Sequence, residues 1–244
     1  MDNTLFISLT QQMTLRRQMD VAANNIANMS TAGFKAESLL TEPERARPAR
    51  ADEKPRDISF VRDWTVLRDF SQGPLQRTSD PFDLAIQGEG FFTVQGPDGP
   101  AYTRDGQFTL SPTGELVTRE GRRVLSAGGD PIQIQQGGAT PVIAEDGSIR
   151  QGGNVVGQLG VVAFARPGAL EKIGENLWAP RDEPPGPLID GRVQQGMVEG
   201  SNVVAVRELT RIMEISRAYE SATRLQRQAE DLRGRSIERL GRIS

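Results

Sequence analysis

The strongest constraint in this 244-residue sequence is a helical pattern that runs almost to its last residue. Ala205, Leu209, Ile212, Ile215, Tyr219, Ala222, Leu225, Ala229 and Leu232 follow one another in steps of three and four. That spacing averages close to the ~3.5 residues of a coiled-coil seam. Arg, Glu, Gln and Ser fill most of the positions between. Ser201 or Asn202 is placed to cap the start. A helix of about 30 residues reaches about 45 Å at the standard rise. The middle of the chain alone is too small to cover such a rod. The helix therefore needs a helical partner, from its own N-terminal end or from neighbouring copies.

The N-terminal end offers one. Over residues 3–28, Leu15, Met19, Ala22 and Ile26 form a narrow seam, and Leu5, Leu9 and Met13 lie one turn apart on an offset line. Asn24, Asn25 and Asn28 are poor helix formers, because their amides compete for backbone hydrogen bonds. Their crowding before Thr31 and Gly33 predicts a helix end, with Gly33 at positive φ. Taken together, the three are also expected to form a polar seam that sets register between neighbouring helices.

The expected fold class is α+β, with N- and C-terminal helices packed as a coiled-coil-like element and a mainly antiparallel β middle. Residues 1–35 and 198–244 make a discontinuous helical assembly domain, 36–63 a charged Pro-rich linker and 64–197 a β-rich domain. Within the linker, between Glu42 and Asp57, five positive charges balance five negative among Pro43, Pro48 and Pro55, which predicts an extended, solvated connector. In the β domain, turn signals recur at close intervals: Pro97-Asp98-Gly99, Asp105-Gly106 and Ser111-Pro112-Thr113-Gly114. Strands are expected at Phe82–Ile86, Phe91–Val94, Tyr102–Arg104, Gln107–Leu110, Leu116–Thr118 and Val124–Leu125. Others are expected at Ile132–Ile134, Pro141–Ala144, Ser148–Arg150 and Val155–Ala165. Asp105-Gly106 reads as a hairpin turn, Pro167–Ile173 as a short helix and Pro184–Pro187 as a surface loop. The pattern fits a small antiparallel barrel or sandwich.

Composition removes several function classes. The sequence has no Cys and no His, so disulfides, Cys or His metal ligands, thiol nucleophiles and Ser–His triads are ruled out. Aromatic residues make up 5% and are scattered, which gives no stacking platform for nucleic acid. A net charge of −3 supplies no general attraction to polyanions. No apolar run approaches the ~18 residues of a membrane span, and Asp2 stands where a signal peptide carries basic residues. Export, if it occurs, is expected without a cleaved peptide of that kind.

Carboxylate chemistry stays open in principle, but Glu89, Asp105 and Glu115 read as turn acids with no spacing that singles out a pair. Gly88-Glu89-Gly90 lacks the third glycine and following helix of a nucleotide loop. The expectation is no catalytic residue, no cofactor and no metal: a non-enzymatic chain.

Several stretches resemble, in order, the rod and hook proteins of the bacterial flagellar axis. Ala23-Asn24-Asn25-Ile26-Ala27-Asn28 with Thr31, Gly33, Phe34 and Lys35 resembles their N-terminal signature. Asp83-Leu84-Ala85-Ile86-Gln87-Gly88-Glu89-Gly90-Phe91-Phe92 and Tyr102-Thr103-Arg104-Asp105-Gly106-Gln107-Phe108 resemble the β domain. Val198-Glu199-Gly200-Ser201-Asn202, with Arg217-Ala218-Tyr219-Glu220, resembles the C-terminal signature. The opening residues resemble the proximal rod type more than the distal.

The resemblance implies a structural subunit exported by the flagellar type III apparatus. Its terminal helices would polymerise with copies of itself and with neighbouring rod proteins into the axial tube in the periplasm, without inserting in a membrane or binding nucleic acid. Leu15, Met19, Asn24, Asn25, Ile26, Asn28, Gly33, Phe34, Glu199, Gly200, Asn202, Leu209, Ile212, Ile215, Arg217, Tyr219, Glu220 and Leu225 are the expected assembly residues. A distal rod or hook-type subunit is one alternative. A cell-wall glycan-binding or hydrolytic module on the β domain is the alternative from another class.

Overall fold

The computed structural model describes residues 3–46, 58–181, 183–188 and 190–241. The fold is α+β, with a helix at each end and an antiparallel β middle. The chain divides into two units. One holds the residues up to Ala27, Glu37–Arg68 and those from Val204 onward; the other holds Asn28–Ala36 and Asp69–Val203.

The first unit contains α1 (Asn3–Ala27), β1 (Glu37–Ala46), β2 (Ile58–Arg68) and α2 (Ala205–Gly241). The two helices pack against each other. Thr14, Val21 and Ala22 are buried on α1, and Glu208, Ile215 and Ala222 on α2. Gln12 Nε2 donates to Gln226 Oε1 at 2.8 Å across the pair. Neither Ser201 nor Asn202 caps α2: the first amide bonds of the helix run from Arg207 and Glu208 to the Val204 carbonyl. The side chains of Leu5 and Ala229 lie outside the described residues.

β1 and β2 pair antiparallel from Glu37↔Arg68 to Ala46↔Ile58, and α1 lies against both. Residues 37–46 and 58–63, expected in an extended connector, are thus strands; residues 47–57 of that stretch lie outside the description. The register shifts between Glu42 and Pro43. A proline has no N–H to give to a ladder, and a bulge is where a ribbon accommodates one. An isolated two-stranded ribbon is marginal in water. Here Leu39 is buried, so part of the ribbon's apolar surface is covered.

The second unit begins with β3 (Leu75–Arg77), β4 (Leu84–Gln87), β5 (Phe91–Gln95), β6 (Pro100–Thr103), β7 (Phe108–Leu110) and β8 (Leu116–Thr118). It continues through β9 (Val142–Ile143), β10 (Ser148–Gln151), β11 (Asn154–Gln158), β12 (Val161–Ala163), β13 (Glu171–Gly174) and β14 (Leu177–Ala179). β15 (Gly186–Pro187), β16 (Arg192–Gln195) and β17 (Met197–Glu199) complete it.

A six-stranded sheet in the order β13-β14-β6-β5-β12-β15 is accompanied by smaller pairings, β16-β4, β17-β3, β7-β8 and β11-β10-β9. Successive side chains on a strand point to opposite faces. So Phe92 enters a core with Leu84, Ile86, Leu116 and Ile149, while adjacent Phe91 enters an aromatic cluster with Tyr102, Phe164 and Trp178. Edge-to-face ring contacts at 5.0–5.6 Å bind that cluster.

Some local expectations fail for identifiable reasons. β5 and β6 form the hairpin across Asp98-Gly99. Asp105-Gly106 is not a hairpin turn, because β6 pairs with β5 and β7 with β8. Gly106 instead lies against the start of β4: its carbonyl accepts the Leu84 N–H at 2.9 Å, and a Cβ there would fall 1.7 Å from the Leu84 oxygen. Val155–Ala165 is two strands rather than one, broken at Gly160, whose missing side chain admits the Leu125 and Ser126 carbonyls. Only Pro167–Ala169 is helical in the Pro167–Ile173 stretch. Within the expected 184–187 loop, Gly186 and Pro187 pair with β12.

Candidate functional site

Some of the resemblance-bearing residues gather at two places, one in each unit, while Arg217, Tyr219 and Glu220 stand exposed on α2. In the β unit the segments 33–36, 69–74, 104–105 and 199–202 are knotted by hydrogen bonds around Glu199. Its side chain is completely buried. Oε1 accepts the Lys35 ammonium at 2.6 Å and the Gly73 N–H at 2.9 Å, while Oε2 accepts Arg104 Nη1 at 3.1 Å. Lys35 also donates to the Ser71 carbonyl at 2.7 Å. Burial drives the Lys35 ammonium and the Arg104 guanidinium below their ordinary pKa values, and Glu199 pulls both back up.

Asn202 uses both ends of its amide in the same knot. Its Oδ1 accepts the Ala36 N–H at 2.7 Å, and its Nδ2 donates to the Asp69 and Ser71 carbonyls at 2.8 and 3.1 Å. Two glycines permit the approach of backbones. Gly33, at φ 65°, donates to the Glu199 carbonyl at 2.8 Å, and a Cβ on it would lie 2.3 Å from the Asp105 nitrogen. A Cβ on Gly73 would lie 2.0 Å from the Gly200 oxygen. Gly200 donates to the Pro74 carbonyl at 2.8 Å. Phe34 is buried, with the Lys172 ammonium 4.9 Å from its ring centre.

In the helical unit, Asn25 is fully buried and behaves like a strand partner for Glu37. Its Nδ2 donates to the Glu37 carbonyl at 2.7 Å, and its Oδ1 accepts the Glu37 N–H at 2.9 Å. Asn24 is exposed. Asn28, at the start of the β unit's first segment, accepts Thr31 N–H on its carbonyl at 3.1 Å and the Thr31 hydroxyl on Oδ1 at 3.2 Å.

The expected seams do not lie on one face. Leu15, Met19, Ile26 and Ile212 are half-buried and Ile215 is buried, but Leu209, Arg217, Tyr219, Glu220 and Leu225 are exposed. A second apolar line on α2, Val206, Leu209 and Met213, is 53–74% exposed. On α1, Leu9 and Met13 are exposed and share an outward face with Arg16 and Arg17.

Lys35 and Arg104 are the partners of Glu199 that the sequence does not mark as site residues, although both fall inside the family-like stretches. Nothing in the sequence pairs them with a carboxylate that stands 164 or 95 residues further on. Asp105, beside them, has its carboxyl pushed up to about 6, chiefly by burial. Among the described residues there is no cluster of acids fit to hold a metal ion, and no helix is long and apolar enough to cross a membrane.

Comparison with known proteins covers both places. Residues 10–35 match the family model for the flagella basal body rod protein, and residues 85–151 match the flagellar hook protein FlgE/F/G D1 domain. Residues 194–239 match the flagellar basal body rod FlgEFG protein C-terminal region. The flagellar basal-body rod protein FlgF of Caulobacter vibrioides is 43% identical over all of both chains. FlgF of Rhizobium meliloti is 36% identical over 99% of each. FlgG of Bacillus subtilis is 30% identical over 91% of this chain and 93% of its own. These matches bear out the expectation of a rod protein of the proximal type. The chain belongs to the flagellar basal-body rod protein family.

Proposed function

We propose that this structural subunit of the basal-body rod polymerises through the outward faces of its two terminal helices, and so builds the axial tube across the periplasm. The observation that carries the reading is the division of each helix into two apolar lines. One is buried inside the subunit, as at Val21, Ala22, Ile215 and Ala222. The other stays in water, as at Leu9 and Met13 on α1 and Val206, Leu209 and Met213 on α2. Fully burying an apolar side chain of this size stabilises by about 1.5–3 kcal/mol. Several such residues on one helix face favour contact with a neighbouring subunit. Repeated heterologous contacts that do not close produce a helical tube.

On this reading the helices of adjacent subunits pack in coiled-coil-like fashion. The neighbours are copies of this chain and other rod proteins, and the chain reaches them through the flagellar type III export apparatus without a cleaved signal. Leu209, Arg217, Tyr219, Glu220, Leu225 and Asn24 are the expected residues exposed enough to touch a neighbour directly. Asn25, Gly33, Phe34, Glu199, Gly200 and Asn202 act from within, by fixing the segments that lead into and out of the helices. The test is Leu209→Asp, assayed for incorporation into basal bodies and for thermal stability of the free subunit. The expected result is loss of incorporation with stability unchanged within about 0.5 kcal/mol. Normal incorporation would sink the assignment of this face. Ile212→Asp should also block assembly, but its half-buried position adds a cost to the subunit itself.

A further inference from the structure

Within the segment Glu199–Asn202, Glu199 and Asn202 supply acceptors to donors that stand earlier in the chain. Glu199 takes Gly33 N–H, the Lys35 ammonium, Gly73 N–H and Arg104 Nη1, and Asn202 takes Ala36 N–H. Lys35 precedes its carboxylate by 164 residues and Arg104 by 95. The Lys35 side chain is completely buried, and only 4% of the Arg104 side chain is exposed. Two cations cannot be withdrawn from water without an anion to meet them. Before Glu199 arrives, therefore, residues 33–36 have no stable docked position against Arg104, and the burial of Phe34 beneath Lys172 waits with them. The contacts that Glu199 and Asn202 make with residues 33–36 also close the longest loops in the unit, which are the costliest to close early.

We propose that residues 199–202 are a closing latch: the β unit reaches its packed state only when this segment docks, as the last step of folding. A subunit whose C-terminal end is held elsewhere keeps Lys35 and Arg104 hydrated and the Phe34 site open. Completion of the unit thus reports that the chain has arrived as far as the start of α2, which begins at Ala205. The inference concerns folding alone and does not rest on the assembly reading.

Trp178 is a built-in reporter, because Lys172, which covers Phe34, lies 5.9 Å from the Trp178 ring centre. The experiment uses the full-length chain with Trp64→Phe, so that Trp178 emits alone, and follows unfolding and refolding by stopped-flow in urea. Glu199→Gln is expected to speed unfolding about a hundredfold while refolding stays within about twofold of the parent. Refolding slowed in proportion, with unfolding unchanged, would mean the segment docks early and would overturn the latch. Should Glu199→Gln fail to fold, Asn202→Ala decides the matter. The same asymmetry, about tenfold in unfolding, is expected of it. Equal rates for parent and Asn202→Ala, or a loss borne by refolding, would also overturn the latch.

Discussion

Asp105 shows how much a single position beside the knot can weigh. Burial is the largest cause of its raised pKa; the Gln107 N–H and Arg119 oppose the rise, and Glu120 and Asp83 add to it. A carboxyl that titrates near 6 when folded and near 3.8 when unfolded holds its proton more tightly in the folded state. It therefore favours folding fully below about pH 4, and that contribution is lost as the pH rises through about 6. Asp105→Asn keeps an oxygen to accept the Gln107 N–H, which Asp105 Oδ1 now takes at 3.0 Å. Urea unfolding should find the variant about 1–2 kcal/mol more stable than the parent at pH 7.5, allowing for partial exposure, and equal to it at pH 4. A variant less stable at pH 7.5 would mean that the charged form is the one the fold uses. The role of Gly33 was legible from sequence, because a glycine after an Asn-rich helix end has a specific backbone use. The partners of Lys35 and Arg104 were not, because a buried ion pair leaves no periodic trace.

The elements divide in the same way. Both helices were legible, since apolar residues spaced by three and four over many turns fall on one side of a helix and of no other regular element. Which face each seam residue occupies was not. A line of residues repeating every seven drifts by about 20° per heptad around a straight helix. The Ala205-to-Leu232 line therefore winds from one flank of α2 across its buried face, at Ile215 and Ala222, to the other flank at Leu225 and Leu232. Residues 37–46 and 58–63 of the ribbon were missed because the charges and prolines crowded into 42–57 dominate that stretch, yet the sequence of β2 carries β-forming residue types at Ile58, Phe60, Val61, Trp64, Thr65 and Val66. The two faces of α2 can be separated by truncation. Ile215→Ala should cost the helical unit about 2–4 kcal/mol, while Leu209→Ala should change it by less than about 0.5 kcal/mol. Thermal melts read by the helical circular dichroism signal would show this; equal losses would mean that the faces have been assigned wrongly.

At the scale of the whole molecule, the sequence pattern places the β domain at 64–197 and ends the N-terminal helical domain at residue 35. The structure moves residues 28–36 and the stretch to Val203 into the β unit. A fragment spanning 64–200 would lack the whole of 33–36, including Gly33, Lys35 and Ala36, and would lack Asn202, all of them contributors to the knot. If the outward helix faces are the surfaces covered on assembly, the absence of cysteine makes that burial directly measurable. Single cysteines would be placed at Leu9, Met13, Leu209 or Met213, and their rates of reaction with a maleimide compared in the free subunit and in isolated basal bodies. Each should label fast in the free subunit and be strongly protected in the rod. Equal labelling in both states would contradict assembly through these faces, because they would then stay in water after the rod is built.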